Sequence, residues 1–282
     1  MLYDPQGVRA FFDNYGTREW ERLERTLQGR IKYAIHRRFL DDYIPEGVRV
    51  LDAGCGPGRF AMDLARRSAC LTLVDLSQTQ LDQARQHLLA AGLLERVQAI
   101  HCLDMVDMHE LRDASFDVVV CYGAALSYTY DRYEAALKEL ARVICPGGRL
   151  LISVCSLYGT LRLLGPYDEH KFLELPDTHI DWEAVLSGEG IVFSQPGSPE
   201  FKQPLVLFTS IGLQRALEQV ELQVVEMAAV NPVVSEGAQI PLITASAQAA
   251  AALTALEVAL CNRPGLVDTG EHLLAVAEKR YR

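Results

Sequence analysis

The chain contains no apolar run approaching the ~18 residues that a membrane-spanning helix needs. Its opening stretch, MLYDPQGVRAFFDNYG, has early acids and no apolar core of signal-peptide length. It also has no CxxC pair and no cysteine spacing of the zinc type. The seven cysteines are an odd number, which argues against a complete disulfide framework. Cys70, Cys102, Cys121, Cys145, Cys155 and Cys261 are dispersed, mostly in apolar, strand-like runs. They are expected to be small buried hydrophobes in a reducing compartment, so the expected location is cytoplasmic, away from membranes. Base is in short supply as well. With 27 Lys and Arg against 37 Asp and Glu, the formal net charge is -10. Such a chain is repelled by nucleic acid unless it presents a local basic face. The clearest candidate is Arg30, Lys32, Arg37 and Arg38, but Ile31, Tyr33, Ile35 and Phe39 are interleaved with them, which predicts the solvated side of a helix. There is no internal repeat.

Periodicity dominates what remains. Residues 8–45 are predicted helical, with Phe11, Phe12 and Tyr15, then Trp20, Leu23 and Leu27, at helical spacing. After Pro45 and Gly47 the pattern changes. Strands are predicted at 48–53, 71–74, 97–103, 116–122 and 149–155, alternating with helices near 59–67, 77–91 and 131–143. Ser77 is a plausible N-cap. Runs such as VLDA, VVVC and LLISV are nearly continuous in apolar residues, as strands buried on both faces of a parallel sheet should be. From 156 to 208 the alternation stops, and prolines, glycines and aromatics accumulate, which reads as a lid or binding loop. A helix near 211–220, a strand near 223–230 and an Ala-rich helix over 245–261 follow. His272 to Ala277 fits either a strand or a helix by pattern alone.

The sharpest motif is Asp52-Ala53-Gly54-Cys55-Gly56-Pro57-Gly58, directly after a strand and before a helix. Glycine permits positive φ and leaves no Cβ between the main chain and a ligand. The helix start adds unpaired N–H groups. Asp75 ends the next strand, where its carboxylate can accept two hydrogen bonds from a ribose diol. A dinucleotide-binding G-x-G-x-x-G starting at Gly54 would need glycine at position 59, where Arg59 stands.

The series VLDAGCGPGRF, LTLVDLS, HCLDM and FDVVVCYG…PGGRLLISV resembles the class I S-adenosylmethionine (SAM)-dependent methyltransferases. The resemblance is strong over residues 45–155 and weaker through EVALCNRPGLVDTGEHLLAVAEKR. It implies an α/β, Rossmann-like, seven-stranded, mostly parallel sheet with helices on both faces and an antiparallel closing strand beside the fifth. That decides the 272–277 run towards strand. It also implies an N-terminal helical cap over 1–45, a SAM-binding core over 46–155, a substrate lid inserted after the fifth strand over 156–208, and completion of the sheet over 209–282. By resemblance, Gly54, Gly56 and Gly58 pass beneath the methionine and ribose of SAM. Asp52 holds the loop and the amino group, and Asp75 binds the ribose hydroxyls with Leu76 packed on adenine. Asp104 accepts from the adenine amino group with Met105 over the ring, capping of the following helix being the lesser alternative for that acid. Cys121, Tyr122 and Gly123 end the fourth strand, where the methionine end meets the acceptor.

SAM arrives activated, so a methyltransferase mainly aligns a nucleophile and excludes water, and its sequence seldom betrays the acceptor. The position after strand four reads CYGAALSY rather than the Asn/Asp-Pro-Pro-aromatic motif of nucleic-acid amino-group methyltransferases. A small-molecule acceptor is expected, methylated on oxygen or nitrogen, with carbon also open. Tyr15, Tyr33, Tyr122 and Tyr128 are candidate substrate-binding residues. For general-base or orienting roles the candidates are His170, because imidazole titrates nearest neutrality, and Tyr128. No metal is expected, since His170, Asp177, His179 and Asp181 fit no strong ligand template. Monomer and homodimer both stay open. Two rivals remain: an aminopropyltransferase using decarboxylated SAM, whose acidic polyamine cluster is not visible, and a non-catalytic SAM-binding partner protein.

Overall fold

The computed structural model describes residues 2–68, 70–164, 182–188, 190–194, 203–234 and 246–281. Three helices come first: α1 (Pro5–Tyr15), α2 (Arg18–Glu21) and α3 (Leu27–Tyr43). Asp4 accepts from Gln6 N and Pro5 supplies a fixed φ at the start of α1. Thr26 caps α3 by accepting from Gly29 N. The alternating core follows as β1 (Arg49–Ala53), α4 (Ala61–Arg67), β2 (Cys70–Asp75), α5 (Gln78–Ala90), β3 (Val97–Cys102), β4 (Phe116–Cys121), α6 (Tyr133–Val143) and β5 (Ile144–Cys155). Ser77 caps α5, accepting from Gln80 N.

Beyond β5 the chain holds, among the described residues, regular pieces that its composition does not announce. It forms α7 (Leu157–Leu164), α8 (Trp182–Ser187) and an antiparallel pair, β6 (Ile191–Ser194) with β7 (Leu205–Phe208). The prolines flank these pieces and do not interrupt them, and Val192, Val206, Leu207 and Phe208 are fully buried. Then come α9 (Ser210–Gln219), β8 (Leu222–Val230), α10 (Ala247–Leu260) and β9 (His272–Lys279). The fifth strand, expected over 149–155, starts earlier, so that Pro146-Gly147-Gly148 lies within its span, where the β4–β5 register shifts.

The seven-stranded sheet runs β3-β2-β1-β4-β5-β9-β8. Strands β1 to β5 are parallel, and β9 is antiparallel to both β5 and β8. Alternate strand residues feed two cores. Val50, Val118, Val120 and Leu151 pack with α3, α4 and α5 on one face. Leu51, Val119, Leu150 and Ile152 pack with α6 and α9 on the other. Ile31, Ile35, Phe39 and Leu40 of α3 are fully buried, each worth about 1.5–3 kcal/mol against exposure. The basic stretch on this helix is only partly solvated, because Lys32 pairs with Glu271 at 2.8 Å with 14% of its side chain exposed. Cysteine burial is also mixed: Cys55, Cys121 and Cys261 are buried, whereas Cys102 is exposed. No helix among the described residues is long and apolar enough to cross a membrane.

Chain order reverses between β1 and β4, so their carboxyl ends diverge into a crevice, the place where open α/β sheets bind ligands.

Candidate cofactor and acceptor site

The crevice opens into a cavity floored by the glycine turn and roofed by α1 and α2. Gly54 N and Cys55 N both donate to Val74 O, at 2.8 and 3.1 Å, which folds the turn back over β2. Gly54, Gly56 and Gly58 have φ of +73°, +52° and +82°, where a side chain would be strained. Their surroundings differ. A Cβ on Gly56 would meet only Glu19 Cγ, at 3.8 Å, and would project into the cavity. One on Gly54 would strike Ala125 Cβ at 2.5 Å. One on Gly58 would strike Ala84 Cβ at 2.9 Å. Gly58, expected beneath the cofactor, is therefore where α5 approaches the turn, and it does not line the cavity.

Asp75 accepts from Gly56 N and Ser77 N, both at 2.8 Å, so one carboxylate braces the turn and the start of α5. Burial nonetheless raises its pKa to about 6, against the lowering effect of those two bonds. Asp52 is 2% exposed and its Oδ2 has no hydrogen-bond partner. Burial, with repulsion from Asp75, pushes it up to about 8. The expected tie from Asp52 to the loop is not what holds the turn; Val74 O and Asp75 do that. Asp104 accepts from Val106 N at 2.9 Å, the local capping role, and also from the Tyr3 hydroxyl at 3.1 Å through both oxygens.

Asp52, Gly54, Gly56, Asp75, Leu76, Asp104, Met105, Tyr122 and Tyr128 all line this one cavity. Cys121 does not: it faces the opposite side of the sheet, its thiol 3.9 Å from the Met105 sulfur. Tyr15 and Tyr33 also stand outside the wall. Tyr15 stacks on Phe11, with Arg18 over its ring. Tyr33 donates to Asp63 at 2.5 Å and takes the Arg59 guanidinium over its ring at 4.6 Å. Arg59 lies at 4.7 Å over Trp20 as well and pairs with Glu24 at 2.5 Å. The side chain that breaks the dinucleotide motif thus fastens α2 and α3 beside the glycine turn. Tyr128 packs edge-on to Phe12, and burial raises its hydroxyl well above the tyrosine range. His170, Asp177, His179 and Asp181 lie outside the described residues.

Several wall residues have no motif to announce them. Tyr3, Glu19 and Arg22 roof the cavity. Arg22 Nη2 sits 2.5 Å from Glu19 Oε1, and 3.1 Å from where a Cβ on Gly123 would be. Arg9 Nε donates to Leu76 O, and Gln80 Nε2 donates to Phe12 O and Gly16 O, so α1 is fastened to α5 across the cavity mouth.

These features fit SAM. A cradle with room for ligand at Gly56, a paired-acceptor carboxylate at Asp75 and an unpaired buried carboxylate oxygen at Asp52 match its backbone-hugging body, ribose diol and ammonium. Residues 50–148 match the family model described as a methyltransferase domain. The tRNA 5-carboxymethoxyuridine methyltransferase of Escherichia coli (strain K12) is 30% identical over 154 residues, 53% of this chain and 58% of that protein. A ubiquinone biosynthesis O-methyltransferase of Idiomarina loihiensis is 35% identical over 119 residues, 42% of this chain and 47% of that one. The chain spans about half the length of these curated relatives. In fold it is similar to the Burkholderia thailandensis 1,6-didemethyltoxoflavin-N1-methyltransferase, solved with S-adenosylhomocysteine (TM-score 0.57, 16% identity, 100% and 92% of the two chains). It is also similar to the Haloferax volcanii putative methyltransferase structure that contains the Trm112 activator (TM-score 0.61, 18% identity, 98% of each chain). Residues 50–148 thus match a methyltransferase domain, and the fold around them is that of solved SAM-dependent methyltransferases. SAM is the cofactor of that class.

Proposed function

We propose that this chain is an enzyme that transfers the methyl group of SAM to an oxygen or nitrogen atom of a small-molecule metabolite, carbon being the remaining option. The observation that carries the reading is the unpaired Asp52 carboxylate oxygen in the wall of a cavity that Asp75 and Asp104 also line. A buried carboxylate without a partner is costly, and a ligand ammonium supplies one.

When bound, SAM supplies an electrophilic methyl on sulfur. The chain's residues then bind, orient and exclude water. Asp52 receives the ammonium, Asp75 the ribose hydroxyls and Asp104 the adenine amino group. Leu76 and Met105 cover the ring faces. Helices α1 and α2 close the top, so the reacting atoms meet out of bulk water, where alignment contributes most. Tyr128, in the same wall, orients the acceptor. The 156–208 segment serves as the acceptor lid.

The competing reading is an RNA acceptor, since one relative is named for tRNA. The net charge of -10 weighs against it. A protein partner is a further reading, since the Haloferax volcanii neighbour was solved with an activator. Incubation of the chain with methyl-labelled SAM separates these outcomes when metabolite extract and total tRNA are supplied in parallel and analysed by mass spectrometry. Label in a small metabolite supports the proposal. Label only in tRNA refutes the acceptor class. SAM binding without any transfer favours a non-catalytic partner protein.

A further inference from the structure

Four acids and two bases stand in the wall of the cofactor cavity: Glu19, Asp52, Asp75 and Asp104 against Arg22 and Arg59. The acids answer to the ammonium and the hydrogen-bond donors of SAM. Neither the glycine turn nor the three aspartates offers a cation to its one anionic group, the methionine carboxylate. A carboxylate taken out of water without a counter-charge is costly, so one of the two bases has to meet it.

The two are not equivalent. The Arg59 guanidinium lies over the rings of Trp20 and Tyr33, 4.7 and 4.6 Å from their centroids, and pairs with Glu24 at 2.5 Å. Its Nε is buried without a partner, but one N–H cannot grip both oxygens of a carboxylate. Arg22 is engaged along one edge alone. Its Nε and Nη2 reach a single oxygen, Glu19 Oε1, at 2.6 and 2.5 Å. A guanidinium carries five N–H donors in a planar fork, so its Nη1–Nη2 end can still hold a second carboxylate by two parallel bonds. No described residue bonds to Arg22 Nη1. Burial works against the Arg22 charge, and Glu19 more than offsets it, so the guanidinium stays protonated.

Placement agrees with chemistry. Helix α2 and its end lay the Glu19–Arg22 pair across the crevice between β1 and β4. A Cβ on Gly56, in the turn after β1, would meet Glu19 Cγ at 3.8 Å, and one on Gly123, after β4, would meet Arg22 Nη2 at 3.1 Å. A Cβ on Gly29 would collide with Arg22 O, so α3 backs the Arg22 main chain directly. Tyr122, the residue before Gly123, is held edge-on by the His36 ring at 4.6 Å. Its hydroxyl is pushed up in pKa by burial and then by the Asp52 charge. Asp52 and Arg22 are thus brought to adjacent residues of one dipeptide. SAM carries its ammonium and its carboxylate on the same carbon, so the groups that receive them have to be neighbours.

We propose that Arg22 receives the methionine carboxylate of SAM through its Nη1–Nη2 end, and that this contact makes the chain select the carboxylated cofactor over its decarboxylated form. The inference rests on the cofactor reading above and adds to it a residue from outside the motif-bearing core. It also separates the chain from an aminopropyltransferase, whose cofactor has no carboxylate to offer. The carboxylate then ties α2 to the crevice, so the cover closes on the cofactor itself.

The test is calorimetry on the full chain with three probes. These are S-adenosylhomocysteine, its decarboxylated counterpart S-adenosyl-3-thiopropylamine, and 5′-methylthioadenosine, which lacks the whole amino-acid portion. The parent should bind S-adenosylhomocysteine about 10- to 150-fold more tightly than the decarboxylated probe, the worth of one charge-assisted hydrogen bond. Arg22→Met keeps a stem and removes the fork. It should bring S-adenosylhomocysteine down to the level of the decarboxylated probe and leave methylthioadenosine unchanged, which shows that the adenosine half is intact. Arg22→Lys keeps the charge as a point and should retain part of the preference. Equal or tighter binding of the decarboxylated probe by the parent would overturn the proposal, and that comparison needs no substitution. A preference that survives in Arg22→Met would overturn it too, as would a parallel loss of all three probes in that variant, the mark of a structural role. If Arg22→Met keeps every probe affinity and loses only methyl transfer, Arg22 serves the acceptor and the proposal falls. Failure of all three probes to bind the parent would instead overturn the cofactor reading.

Discussion

Replacing Asp52 by asparagine is expected to stabilise the ligand-free protein in alkali while weakening SAM. The Asp52 side chain is 2% exposed and its pKa stands at about 8 in the fold, against about 3.9 in an unfolded chain. The folded state therefore holds its proton more tightly than the unfolded state. The carboxyl does no harm below about pH 4, and stability then falls as pH rises, until the group is ionised in both states above about pH 8. A pKa difference of about four, at about 1.36 kcal/mol for each, sets a ceiling of about 5 kcal/mol for the loss. The amide has nearly the same shape as the carboxyl and does not titrate. Urea unfolding of parent and variant should give similar stabilities near about pH 4 and favour the variant by several kcal/mol near about pH 9. SAM reverses the order. Its ammonium needs the ionised carboxylate, so the parent must release close to one proton on binding at neutral pH, and the variant none. Calorimetry in two buffers of different ionisation heat measures that proton. Loss of a charge-assisted bond, about 1.5–3 kcal/mol, should cost the variant about 10- to 150-fold in affinity. Parallel stability curves from acid to alkali, or equal proton release by the two proteins, would refute the assignment of an unpaired, cofactor-seeking carboxylate.

Other substitutions around the same cavity have equally definite outcomes. Gly56→Val should abolish SAM binding, because it combines a strained positive φ with a side chain in the cofactor's space; normal binding by calorimetry would contradict the placement of the turn. Asp75→Ala should weaken SAM and S-adenosylhomocysteine alike, by about 1.5–3 kcal/mol per lost bond, and should loosen the turn by freeing Gly56 N; unchanged affinity would remove the ribose role. Tyr3→Phe deletes the hydroxyl that reaches Asp104, so hydrogen exchange in α1 of the free protein should accelerate, and equal protection in both proteins would show that this contact does not hold the cover.

The cofactor half of the fold is legible in the sequence because its signals are local. VRVLDA, CLTLVD and FDVVVC are apolar runs set by burial on both sheet faces, and each closes on a turn or an acid whose position the strand dictates. The Ser77 cap, the switch from strand to helix after Gly58 and the carboxylates at 52, 75 and 104 are all readable within a few residues. What escapes the sequence depends on distance along the chain. Nothing near Tyr3 indicates that it meets Asp104, and nothing near His36 indicates Tyr122. The fate of Lys32 is decided by Glu271, over two hundred residues away, so the expectation of a solvated basic face fails there. Gly58 misleads because glycine serves close packing and ligand approach equally well, and only the position of Ala84 distinguishes the two. The prolines after Cys155 suggest irregularity because they punctuate, while the β6–β7 pair between them is too short to establish a period.

Strand β9 sits between β5 and β8, yet it is encoded after both. A nascent chain emerging at roughly 5–20 residues per second can assemble β1 to β5 and the glycine turn while about a hundred further residues are still being made. Through that interval β5 offers a bare edge, and β8, once translated, has no neighbour to dock on. Unpaired edges of apolar strands recruit other chains. The protein is therefore most exposed to misassembly until β9 is available, and its sheet becomes continuous only when residues 272–279 slide into the gap. The cofactor-binding half can thus take shape before the sheet is complete, with β9 its last strand to arrive.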